Sequence, residues 1–400
     1  MLAKGLRVAG KLLLATLCGL AFGFTVWCFL FSMTSAKVVG SRDFALYWTT
    51  GQQIAHHGNP YDGDALLRIA RDAGMPGLYG TYMCNPPWTL PLVYPLGFLG
   101  LRVASILWSL FMLVCLAGSV HLLWVMHGRP RGRRQLLGYS FGPALVCLIM
   151  GQTALLALVG LVLFLRLHRT RPFFAGVSLW LCMLKPHLFL AFGVVLLAWI
   201  VFSRSYKILL GAVVALVASC ALAYLIVPFE WGQYLQVLRR PGNEWEYIPC
   251  LPVLLRLWVR KDAAWVQYVP SVIGCAWGLV YFWTRRLRWD WLRHGSLLML
   301  VSLVSAPYSW LYDQVVAVPA LLQGAFVTRS RSMLATLAFL SALIEVALFG
   351  IVWKPATLYL WTLWSGPAWL IWYVYAVSLP AQRLPGQVAA QVNNSEATAP

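Results

Sequence analysis

The sequence predicts an all-α polytopic membrane protein, and three observations carry that prediction. Of 400 residues, 60% are hydrophobic and only 11% are charged, with a mean hydropathy of +0.72. Stretches such as Val103 to His127 and Ile208 to Val227 contain no formally charged side chain, and each is long enough to cross a bilayer of about 30 Å as a helix. The basic residues fall between such stretches. A soluble chain of this length would alternate apolar and polar faces instead.

Taken in order, the apolar stretches give spans at residues 10–35, 103–127, 136–150, 153–168, 172–184, 187–202, 208–227, 264–284, 295–310, 314–327, 333–352 and 357–380. About twelve segments place both termini on one side. Several are only about 13 to 16 residues long, which is marginal for a single crossing, so they are expected to be tilted, kinked or re-entrant. Residues 86–101 are apolar but hold four prolines and read as an interfacial or partly inserted segment. Three basic residues before the first apolar run resemble a secretory signal, but the run is too long for a signal core, so a retained anchor is expected. Residues 1–380 form one integral-membrane domain, and the polar tail 381–400 is expected to be a disordered cytoplasmic extension. No repeat of fixed period and no nucleotide-binding glycine loop occurs.

A formal charge of +19 suggests a nucleic-acid partner until the positions of the charges are read. Counted from an inside N-terminus, one face holds 19 of the 31 Lys and Arg residues with two acids, Asp290 and Glu396, a net +17 against +2 on the other face. That is the positive-inside pattern of an inner (plasma) membrane protein whose partners are lipids rather than nucleic acid. Nine cysteines give no metal pattern, because no C-x-x-C pair occurs and seven lie in apolar spans. Cys84 and Cys250 fall in external segments, where a disulfide or two independent thiols are both open.

Two long external segments, about 36–102 and 228–263, hold most of the outer polar chemistry. In the first, Asp43 opens a short stretch in which Phe44, Tyr47, Trp48, Gly51, Ile54 and Ala55 recur at helical spacing, the pattern of a helix with its aromatics in the headgroup zone. On spacing alone, Ser41 caps this helix and Asp43 stabilises its first turn by about 0.3–1 kcal/mol. His56 and His57 point in different directions on a helix and read as an exposed pair rather than metal ligands. Three polar tips follow where short apolar segments meet: Gly151-Gln152-Thr153, Lys185-Pro186-His187 and residues 307–314, with Asp313 among them. Lys185 and Asp313 border membrane segments, where ionisable groups line a pathway or site, pair with each other or snorkel to the interface. Lys185 and His187 are candidates to hold a phosphate. In the second segment, Arg239 and Arg240 suit phosphate, with pairing to Glu244 or Glu246 equally open. Glu345, midway along an apolar span, is open to pairing or protonation and receives no role.

The ordered set Asp43-Phe44-Ala45-Leu46-Tyr47-Trp48, Gly58-Asn59-Pro60-Tyr61-Asp62, Asn85-Pro86-Pro87, Gly151-Gln152, Lys185-Pro186 and Ser309-Trp310-Leu311-Tyr312-Asp313 resembles glycosyltransferase family 87, over roughly residues 40 to 320. The resemblance implies a GT-C type bundle with its site just outside the membrane on the non-cytoplasmic side. It implies an inverting transfer of a hexose, expected to be mannose, from a polyprenyl-phosphate donor to a lipid or glycan acceptor. Asp43 is then the general base, and Lys185, His187, Arg239, Arg240, Asp313, Tyr47, Trp48 and Gln152 are donor-phosphate or substrate contacts. No cofactor is required and no metal-ligand motif is present, although a divalent ion could assist. The family often reads Lys-Pro-Gln where this chain has Lys185-Pro186-His187, and often carries His before the Trp where this chain has Tyr308-Ser309. The competing reading from composition is a transporter or flippase of envelope intermediates, although matching broken helices in two halves are not evident.

Overall fold

The computed structural model describes residues 31, 33–76, 78, 82–228, 230–238, 248–353 and 359–378. Arg239, Arg240, most of the first expected span and the tail 381–400 lie outside the described residues. Every regular element among the described residues is helical.

The first external segment folds into α1 (Asp43–Ala55) and α2 (Gly63–Asp72). The turn between them ends on Asp62, whose carboxylate accepts from the N–H groups of Asp64 and Ala65 and so caps α2. Residues 87–98 then form three short turns, Pro87–Thr89, Leu90–Val93 and Tyr94–Phe98, each with proline in its first two positions. A proline there gives up an N–H that has no intrahelical partner anyway. These turns pack on α1 through a close backbone approach at Gly51 and Gly97. A Cβ at Gly51 would stand 2.5 Å from the Val93 carbonyl oxygen and 2.8 Å from the Gly97 nitrogen. Gly51→Val is therefore expected to cost about 1–3 kcal/mol through overpacking. A thermal unfolding midpoint in detergent equal to that of the unaltered chain would contradict this contact.

The bundle continues with α3 (Leu101–Met126), α4 (Gly142–Met150), α5 (Ala154–Leu167), α6 (Pro172–Cys182), α7 (Leu190–Ser203) and α8 (Tyr206–Ile226). It then runs through α9 (Glu230–Leu238), α10 (Leu251–Val259), α11 (Val269–Arg285), α12 (Trp291–Ser305), α13 (Val318–Val327), α14 (Arg331–Trp353) and α15 (Ser365–Ser378). Short 3-10 helices lead into α7 and α13, at Pro186–Phe189 and Leu311–Ala317. Among the described residues, three helices are long and apolar enough to cross a membrane: Leu101–Met126, Pro186–Ser203 and Tyr206–Ile226. Others are shorter. The 14 residues of α5 rise about 21 Å against a hydrocarbon layer of about 30 Å. The count of about twelve crossings thus goes beyond what helix length and composition support.

Two ion pairs mark the two ends of this bundle. The helix α5 runs from just after Gln152 to Leu167 and α6 returns from Pro172 towards Lys185, while α12 runs from Trp291 towards Asp313. At one end Arg169 pairs with Asp290, and at the other Lys185 pairs with Asp313. Between the ends lies an aromatic core in which Trp291 meets Phe164, Phe192 and Trp199 at centroid distances of 5.2, 5.0 and 5.5 Å. The short helices therefore carry their polar breaks to one end and their arginines to the other.

Candidate active site

The breaks between helices enclose a cavity of about 230 Å³ whose wall includes Asp43, Tyr47, Gln152, Lys185, His187 and Asp313. Six of the positions expected from the sequence are thus gathered from four separate parts of the chain. Trp48 is not among them.

Asp43 is half-buried in the first turn of α1. Ser41 does not cap that helix, contrary to expectation. Its hydroxyl donates to the Val38 carbonyl at 2.7 Å, and the N-cap position falls to Arg42. A serine caps only when it immediately precedes the first helical residue, so that its oxygen reaches the next free N–H groups. Ser41 stands one residue too early.

The aromatic face of α1 also lies elsewhere than expected. Phe44, Tyr47 and Trp48 are all buried inside the protein rather than set in a headgroup layer. Phe44 and Tyr47 pack on Trp108 at 6.2 and 5.8 Å between ring centroids, and the Trp48 indole donates to the Leu99 carbonyl at 2.9 Å. An aromatic with one polar atom suits a headgroup zone and a protein interior equally well. Only the packing of α1 against α3 and residues 94–99 decides between them.

Arg42 is a site-forming residue that the sequence reading passed over. Its guanidinium is 2% exposed and donates to Met33 Sδ and Ser105 Oγ, both at 3.0 Å, to Ser109 Oγ at 3.2 Å and to the Ile149 carbonyl. Burial lowers its pKa to about 10, an effect the Asp43 charge opposes. It therefore remains a cation at neutral pH and ties the start of α1 to α3 and to the end of α4. An Arg-Asp pair in an otherwise apolar stretch was the available signal.

Gly151 ends α4 with φ of +69°, in the left-handed region that favours glycine. Its carbonyl accepts from the Trp108 indole at 2.7 Å, and the turn presents Gln152 to Asp43. The Gln152 amide donates to Asp43 Oδ2 at 2.8 Å, and its carbonyl oxygen accepts from the Tyr47 hydroxyl at 2.8 Å. Burial first, and then the Asp43 charge, push the Tyr47 phenol far above its ordinary pKa. Tyr47 therefore stays protonated as a donor and fixes which way round the Gln152 amide lies.

The remaining polar wall is built on Lys185, His187 and Asp313. Lys185 Nζ lies 2.6 Å from Asp313 Oδ1 and 4.7 Å from the centre of the Tyr312 ring. Asp313 Oδ2 accepts from the Trp310 N–H at 2.9 Å, so both of its oxygens are engaged. The His187 ring stacks on Tyr308, with centroids 3.9 Å apart and planes at 23°. Its Nε2 is buried with no hydrogen-bond partner, a costly arrangement unless a ligand supplies one.

Aromatic residues to which the sequence assigns no site role complete the wall, among them Tyr82, Tyr234, Tyr308 and Trp310. Tyr234 belongs to α9 and meets Tyr61 at 5.5 Å between centroids, and burial, with Cys84 nearby, raises its phenol to about 12. These rings come from distant segments, and for Tyr82 and Tyr234 only the crowding of aromatics in the external segments hinted at them. His56 and His57 are exposed, as expected. No disulfide joins Cys84, which is half-buried, to Cys250, which is buried. Among the described residues, no three His, Cys, Asp or Glu side chains gather as a metal-holding group.

A family model described as glycosyltransferase family 87 matches residues 82–307, more than half of the chain. Asp43 and Asp313 lie on either side of the matched residues. No curated protein and no solved structure gives a match.

Proposed function

Because the chain belongs to glycosyltransferase family 87, and is a membrane protein by its long apolar helices, we propose a specific reaction for its cavity: transfer of mannose from a polyprenyl-phosphate donor to a lipid or glycan hydroxyl. The observation that carries this reading is the division of polar groups around one cavity. Asp43 brings a carboxylate with one oxygen held by Gln152, while Lys185 and His187 bring a cation and an unpartnered ring nitrogen.

In the proposed step the acceptor hydroxyl oxygen forms a bond to the anomeric carbon as the bond from that carbon to the donor phosphate oxygen breaks. The hydroxyl proton passes to Asp43, and the bonding pair leaves on polyprenyl phosphate. Lys185 has donors beyond the one directed at Asp313, and with His187 it would hold the phosphate as its charge grows. A single displacement inverts the configuration, and Asp313, with both oxygens engaged, is poorly placed to act as a nucleophile. The positive-inside charge distribution supports an extracytoplasmic site in the inner membrane, with both termini cytoplasmic. The family membership favours this reading over a transporter or flippase.

Binding of polyprenyl phosphate to the purified protein, followed by tryptophan fluorescence, tests the donor assignment. His187→Phe keeps the ring stacked on Tyr308 but removes the nitrogen, and is expected to weaken binding by about tenfold, the worth of one hydrogen bond to a charged group. Equal binding by the variant, or no binding by the unaltered protein, would remove phosphate recognition from this wall.

A further inference from the structure

The geometry points to a second ligand site at the arginine-rich end of the bundle, one that takes the phosphodiester headgroup of an anionic bilayer lipid. A cavity of about 460 Å³ opens where α11 gives way to α12, lined by Trp283, Arg285, Arg286, Arg288, Arg293 and His294 together with Leu287. It is remote from the candidate active site, because the 15 residues of α12, about 22 Å of helix, separate the two.

Positive-inside topology explains why arginines occur at this end, but not why four of them share one concavity. Two are held in place by aromatic rings. The Arg285 guanidinium lies 4.2 Å from the centre of the Tyr281 ring, and that of Arg286 lies 4.2 Å from the Trp283 ring and donates to the Trp283 carbonyl at 2.6 Å. A guanidinium stacked on a ring keeps its N–H edge for an oxyanion. The nearest acid in sequence, Asp290, is occupied by Arg169 and by the Arg293 N–H.

The apolar surface beside the cavity selects a lipid over a soluble anion. Val280, Trp283 and Leu287 are exposed on the same stretch of chain, which supplies a track for acyl chains leading away from the arginines. Basic pockets beside membrane helices are suited to anionic headgroups. Phosphatidylglycerol satisfies both halves of this surface, with one negative phosphodiester and two chains.

The full-length protein in phosphatidylcholine nanodiscs tests the site, with thermal unfolding followed as phosphatidylglycerol, further phosphatidylcholine or inorganic phosphate is added at equal phosphate concentration. Phosphatidylglycerol alone is expected to raise the midpoint. The Arg288→Gln/Arg293→Gln pair is expected to weaken its apparent affinity by about tenfold or more. The Arg131→Gln/Arg133→Gln pair, which removes the same charge from a loop outside the cavity, is expected to leave that affinity unchanged. Equal weakening by the two pairs, or equal effects of the two lipids, would overturn the site, and an equal effect of inorganic phosphate would overturn its assignment to lipid. Should the cavity pair fail to fold, native mass spectrometry of the unaltered protein decides: preferential retention of phosphatidylglycerol supports the site, and retention of both lipids alike sinks it.

Discussion

Asp43→Asn is expected to lower kcat for sugar transfer by about 100- to 10,000-fold, the range supplied by a positioned general base. The substitution keeps the shape of the side chain and its place at the start of α1, and an amide oxygen can still accept from Gln152. What it removes is the capacity to take a proton. The rival role for Asp43, support of the helix N-terminus through the dipole, is worth only about 0.3–1 kcal/mol. A variant with an intact unfolding midpoint, intact donor binding and lost turnover therefore separates the two roles. Full turnover by the folded variant would remove Asp43 from the chemistry.

Disrupting the pair of Lys185 and Asp313 has the second large effect. Both side chains are nearly buried, at 9% and 0% exposure, so Lys185→Met or Asp313→Asn leaves a charge without its partner. Such single changes cost about 3–5 kcal/mol in buried pairs, whereas replacing both partners by apolar groups is often close to neutral. Lys185→Met/Asp313→Leu is accordingly expected to regain much of the stability lost by either single variant, measured as a double-mutant cycle on the unfolding midpoint. Turnover divides the structural role from the chemical one. The double variant should stay inactive if the Lys185 ammonium holds the donor phosphate, and renewed transfer would reduce the pair to a brace between α6 and the turn after α12.

The polar tips at Gln152, Lys185 and Asp313 were legible because each interrupts an apolar run, and a polar group at such a break requires a reason that hydropathy alone exposes. Together with Asp43 they line one cavity. The misreadings have a common physical source. Phe44, Tyr47 and Trp48 satisfy a headgroup layer and a protein core alike, and Ser41 and Arg42 compete for the cap until backbone geometry decides. Arg42 was hidden for a related reason: its burial is made tolerable by Ser105, Ser109 and a carbonyl of α4, all more than sixty residues away. The stack of His187 on Tyr308 is a contact visible only once the breaks after α6 and α12 are brought together.

Transfer itself is the most direct measurement of the central claim. The unaltered protein in liposomes is supplied with radiolabelled polyprenyl-phosphate-mannose and a panel of lipid and glycan acceptors, with nucleotide-linked mannose as the comparison donor. The predicted result is label moving from the polyprenyl carrier to an acceptor with inverted configuration, polyprenyl phosphate released in equal amount, and no transfer from the nucleotide donor. Label that stays on the polyprenyl carrier with every acceptor, while the intact donor passes from one leaflet to the other, would contradict it.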